Sequence, residues 1–152
     1  GKTVTVSDSL AICETLAERH PKARLWPANA AARALARAYA AEMHAGFPNV
    51  RDQLSMNFAR TLPLPALRAD TQAEIARILS AWETALKAHK GPFLFGRFCI
   101  ADAMYAPVVS LFVTYGVTVP PLVAAYMARV MALPGMTAWG RMAQREVDKG
   151  LA

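Results

Sequence analysis

The hydrophobic pattern changes period once, close to the start of the chain. Thr3, Val4, Thr5 and Val6 alternate polar and β-branched apolar residues, which predicts a strand. From Leu10 the apolar positions step at helical spacing through Cys13, Leu16 and Ala17, with Asp8 or Ser9 placed to cap the first free N–H groups. Arg19-His20-Pro21 supplies the stop, with cations at the C-terminal end and a proline beyond. Every later periodic segment reads as helix. Pro27 and Asn29 introduce an alanine-rich one with Leu35, Tyr39 and Met43 on one face. Gly46-Phe47-Pro48 interrupts it, and Val50, Leu54 and Phe58 carry the apolar face on at four-residue steps. After a loop holding Pro63 and Pro65, Thr71 and Glu74 have capping-box spacing, and Ile75, Leu79, Trp82 and Leu86 form a clean stripe. Lys87 to Pro92 combines cations, a glycine able to turn left-handed and a proline, which predicts the end of that helix.

The next helix is apolar all round, from residue 100 to 115, the mark of an element at the centre of a core. Asp102, three residues after Cys99, is spaced to reach back to the N–H at that helix start. Pro107 inside it costs about 3 kcal/mol in a generic helix, so packing must offset it. Leu122, Tyr126, Val130 and Leu133 outline one further helix, and Met136, Trp139, Met142, Ala143 and Val147 the last. No charge falls between residues 103 and 128, long enough to span a bilayer, but Pro107, Gly116, Pro120 and Pro121 split the run below spanning length. Two buried helices joined near Gly116 explain it better than a membrane span.

A lone strand cannot satisfy its own ladder groups. The predicted strand therefore pairs with an α/β domain preceding Gly1 or, alternatively, with a swapped or second chain. The division that follows is a βα remnant over residues 1–26 and an all-helical domain over residues 27–152.

The chain has 152 residues, 55% hydrophobic, with 17 basic against 11 acidic side chains for a net charge of +6. That balance favours anionic ligands, yet no basic run and no aromatic–basic interleaving suggests a nucleic-acid groove. Cys13 and Cys99 form no CxxC pair, which fits a reducing cytosol. His20, His44 and His89 are too far apart in sequence to read as metal ligands. Candidate chemistry concentrates at Asp8-Ser9, because a helix start directly after a strand binds anions through its free N–H groups and its dipole, although a plain N-cap would read the same.

Three stretches, Asp8-Ser9-Leu10-Ala11-Ile12, Ala41-Glu42-Met43-His44-Ala45-Gly46-Phe47 and Phe98-Cys99-Ile100-Ala101-Asp102-Ala103, come in an order and spacing that resembles the cytosolic glutathione transferases, above all bacterial, beta-like members. The resemblance covers essentially the whole chain: the last strand and helix of the thioredoxin-like domain, then the all-α C-terminal domain. It implies that Ser9 holds the γ-glutamyl carboxylate of glutathione, that Asp8 sits by the γ-glutamyl amino group, and that His44 faces the thiol, the alternative for His44 being an exposed helix residue. It further implies a cytoplasmic homodimer engaged in detoxification, joining glutathione to a small apolar electrophile without a metal. Met43, Phe47 and Tyr105 are the candidate substrate contacts.

Two departures stand out. Cys99 occupies a position that is usually Ser or Thr in the family, so half of the capping box is expected to be lost, with a buried structural thiol favoured over a reactive thiolate. The family's catalytic Tyr, Ser or Cys is expected upstream of Gly1. The rival reading is a transferase-like binding or assembly module without turnover.

Overall fold

Helix stop signals divide the chain more finely than its apolar stripes do. The computed structural model describes residues 3–151. In order they form α1 (Ser9–Arg19), a single 3-10 turn (Pro21–Ala23), α2 (Ala30–Ala45), α3 (Pro48–Gln53), α4 (Ala69–His89), α5 (Ile100–Thr114), α6 (Pro121–Met131) and α7 (Pro134–Asp148). α5 is central. It packs on α2 and α6, while α4 packs on α3 and α6. The fold class read from the pattern is therefore borne out as an all-helical domain.

The start of α5 explains how the core is anchored. Ile100 N donates to the Leu25 carbonyl at 3.0 Å, tying the segment after α1 to this helix. The buried Asp102 carboxylate accepts from Cys99 N at 2.9 Å and from Leu94 N at 3.0 Å. One acid thus closes the helix start and fastens the preceding loop. That loop folds tightly, with a single antiparallel bridge between Phe93 and Gly96. A Cβ on Gly91 would meet the Gly96 backbone at 2.3 Å, so only glycine fits this approach. Around α5 the aromatic core centres on Trp82, whose ring lies 5.4 Å from Tyr105, 5.6 Å from Phe112 and 5.3 Å from Tyr126.

Several local expectations change. Thr3 to Val6 form no strand, since no strand exists among the described residues for them to pair with. Residues 1 and 2 of the expected N-terminal unit lie outside the described residues. Leu35 is 52% exposed, and the buried stripe of α2 is Ala36, Ala40 and Met43, because small side chains let α2 approach α5 closely. Phe58 lies beyond α3, packed 4.5 Å from the Trp139 ring. Arg68, not Thr71, is the cap residue of α4, and Thr71 is buried. Glu74 instead receives Val50 N at 2.9 Å and the Asn49 amide at 2.7 Å, so it ties α4 to α3. Lys90 (φ 48°), not Gly91, takes the left-handed C-cap. The uncharged run breaks between α5 and α6, and no helix among the described residues is long and apolar enough to cross a membrane.

At Cys99 both halves of the capping box form, with sulfur standing in for a hydroxyl as the acceptor. Burial, and after it the Asp102 charge, pushes the Cys99 thiol up to about 12, whereas Cys13 is partly exposed and its thiol is raised less, again by burial. Thiolate is the reactive form. Alkylation of the folded protein near pH 8 should therefore label Cys13 and spare Cys99 until denaturant is added. Equal labelling of both cysteines by peptide mass mapping would contradict this.

Candidate functional site

Two helix ends of opposite polarity meet on one side of α5. Asp8 has extended backbone (φ −93°, ψ 137°) and caps α1, its Oδ1 accepting from Leu10 N at 2.9 Å and Ala11 N at 3.0 Å. Ser9 is the first residue of the helix proper and is exposed. At the far end of α2, His44 Nε2 stands 3.0 Å from Asp8 Oδ2, leaving each side chain partly exposed. A single carboxylate thus closes α1 and holds the imidazole of α2.

The Gly46-Phe47-Pro48 reversal then brings α3 under this point. A Cβ on Gly46 would stand 2.5 Å from the Glu42 carbonyl oxygen, and Phe47 adopts a left-handed conformation (φ 59°) to feed Pro48 into the first turn. Consequently Arg51 lies beneath the end of α2. Its Nη2 donates to the Met43 carbonyl and, at 3.3 Å, to that of His44. A cation at a helix C-terminus complements the dipole there.

These elements enclose a cleft of about 390 Å³, lined by Ser9, Met43, His44, Arg51, Met104 and Pro107. Met43, Arg51 and Pro107 also border a second, more apolar pocket of about 280 Å³, floored by Leu54, Met56, Val108 and Leu111. On α5 the residues facing this space are 103, 104, 107, 108 and 111, which share one helix face. Pro107 sits on that face and lacks the N–H that would otherwise bond back to Ala103, yet the helix runs on through it.

The structure brings four of the six expected site residues together: Asp8, Ser9, Met43 and His44. Phe47 is 7% exposed and packs in the core under the turn, and Tyr105 is fully buried against Trp82, so neither lines the cleft. Tyr105 lies one helical step round from Met104 and so turns toward the core. Arg51, Met104 and Pro107 were missed. In a helix apolar on every side nothing in the sequence says which stripe faces a cleft, but a lone arginine just after a glycine–proline break was a usable signal. Among the described residues no group of three or more His, Cys, Asp or Glu side chains could hold a metal ion.

The Ala11 N–H, opposed by desolvation and aided by the His44 imidazole, holds the Asp8 carboxyl below its ordinary value of 3.8. The folded state therefore favours the ionised form. Its contribution is present above the unfolded value and disappears as pH falls through the lower folded one. An NMR titration should give an Asp8 midpoint below 3.8, with the amides of Leu10 and Ala11 shifting at the same pH. A midpoint at or above that value would contradict the capped geometry.

Residues 65–129, which span α4, α5 and most of α6, match the family model described as glutathione S-transferase, C-terminal domain. No curated protein sequence matches the chain significantly. Among solved structures, the chain is similar to a glutathione transferase homolog from Burkholderia gl BGR1 crystallised with bound glutathione, at 28% identity and a TM-score of 0.70, covering 93% of this chain and 69% of that one. It is also similar in fold to a glutathione S-transferase from Rhodospirillum rubrum F11, at 23% identity and a TM-score of 0.64, covering 88% of this chain and 64% of that one. The chain thus spans about two thirds of the length of these structures.

Proposed function

Because this chain carries the all-helical C-terminal domain of the glutathione S-transferase fold, we propose that it is part of a glutathione transferase and supplies the γ-glutamyl anchor and one wall of the electrophile pocket. The observation that carries this reading is the adjacency of the two spaces: a cleft rimmed by Ser9 and His44 shares Met43, Arg51 and Pro107 with a more apolar pocket. In this reading residues 1–26 complete a thioredoxin-like domain supplied by further sequence, and residues 27–152 are the helical domain. The similar Burkholderia protein, crystallised with glutathione, supports the choice of thiol.

Ser9, at the start of α1, donates its hydroxyl to the γ-glutamyl carboxylate, and the helix dipole adds its field although Asp8 already accepts from the Leu10 and Ala11 N–H groups. Asp8 receives the γ-glutamyl ammonium beside its existing bond to His44. His44, held through Nε2 by that carboxylate, faces the glutathione thiol with its remaining ring nitrogen, Nδ1. The thiolate attacks the electrophilic carbon, the carbon–sulfur bond forms, and the leaving group departs with its electron pair. Desolvation by Met43 and the apolar floor strengthens that nucleophile. The residue that first activates the thiol belongs to the thioredoxin-like portion in this account. Free cysteines, Cys13 and Cys99, suit the reducing cytoplasm proposed for it.

The test is turnover: the complete protein should conjugate glutathione to 1-chloro-2,4-dinitrobenzene above the spontaneous rate. Binding of glutathione without turnover would instead favour the binding or assembly module. We also propose a homodimer in which α2 and α4 meet the partner, α2 offering the exposed Leu35 among small alanines. Sedimentation at micromolar concentration should give twice the monomer mass, and a monomer would contradict it.

A further inference from the structure

We infer that Arg51 makes the apolar pocket selective for electrophiles that carry a carboxylate, an inference that rests on the transferase reading above. Arg51 lines both the cleft and the more apolar pocket. Only its Nη2 is engaged, by the carbonyls of Met43 and His44, so Nε and Nη1 make no hydrogen bond among the described residues.

Among the described residues no carboxylate forms an ion pair with it. Asp8 is paired with His44, Glu42 with Arg77 and Asp52 with Arg68, while Glu74 accepts from Val50 N and the Asn49 amide. A guanidinium stays charged throughout the physiological range, and with Nη2 engaged its Nε–H or Nη1–H is left to donate a single charge-assisted hydrogen bond to a carboxylate oxygen. Its two carbonyl anchors hold the guanidinium in place, so little side-chain freedom is lost on binding. Leu54, Met56, Val108 and Leu111 supply the remaining surface. A ligand satisfying both halves has an apolar, ring-sized body and one anionic oxygen pair at its edge, as in a substituted benzoate. Glutathione satisfies only the charged half, because its glycyl carboxylate has no apolar body to fill the floor.

The test uses two unreactive probes of the same shape, 3,5-dinitrobenzoate and its methyl ester, titrated calorimetrically into the complete protein. The acid should bind about tenfold more tightly than the ester, in line with a charge-assisted hydrogen bond at a partly exposed site. Arg51→Gln should bring the two affinities together, and Arg51→Lys should keep most of the preference. Thermal melts should show both variants folded, and the lysine variant guards against loss of the α2 end cap. Equal affinity of acid and ester in the parent protein, or an unchanged preference in Arg51→Gln, overturns the proposal. So does a tenfold loss of glutathione affinity in Arg51→Gln, which would assign the guanidinium to the tripeptide. Titrating glutathione in the same samples separates the two readings: an acid preference without glutathione binding would leave this pocket standing and remove the transferase assignment.

Discussion

Asp102→Ala should cost the protein roughly 1–3 kcal/mol, lowering its melting temperature by about 3–10 °C for a domain of this size. The side chain is fully buried and accepts from two N–H groups, those of Cys99 and Leu94. Each orphaned donor costs on the order of 1–3 kcal/mol, and relief of the buried charge offsets part of the sum. Burial, countered by those same N–H groups, pushes the Asp102 carboxyl up. An acid whose folded value is raised contributes most below its unfolded value, and the contribution is lost as pH rises through the folded one. Asp102→Asn keeps one acceptor and should cost less than alanine at neutral pH. The parent should then gain on the asparagine variant as the solution is acidified. A melting temperature unchanged in Asp102→Ala would mean that the loop and the helix start are held by something else.

The second large effect concerns Ser9. Replacement by alanine should weaken glutathione binding at least tenfold, consistent with about 1.5–3 kcal/mol for a hydrogen bond to a charged group. Stability should scarcely move, since Asp8, not Ser9, caps α1. That split distinguishes a ligand contact from a structural one. A variant that loses stability but keeps affinity would identify the hydroxyl as part of the helix start alone.

Much of the helical layout was legible because its punctuation is chemical. Asn29 before α2, Pro121 and Pro134 at first turns, and the Asp102–Cys99 pair each act through one or two backbone groups next to them in sequence. What depends on a distant neighbour was not legible. Leu35 and Ala36 are equally good helix formers, and only the close approach of α5 decides that alanine goes inside. Glu74 has the spacing of a cap partner for Thr71, but α3 brings Val50 N within 2.9 Å and captures it. The candidate site divides in the same way. Asp8 and Ser9 announce themselves at a helix start, and His44 stands near a break. Tyr105 and Met104 are adjacent in an apolar helix, and their opposite fates depend on where Trp82 and the cleft lie.

In the proposed function the cleft between the start of α1 and the end of α2 holds glutathione. Titration of the isotopically labelled complete protein with glutathione, followed through backbone amide resonances, tests it most directly. Saturable shifts should be largest at Ser9, Leu10 and Ala11, extend to His44 and Arg51, and collapse in Ser9→Ala. Shifts absent from α1 and α2, or persisting undiminished in Ser9→Ala, would contradict it.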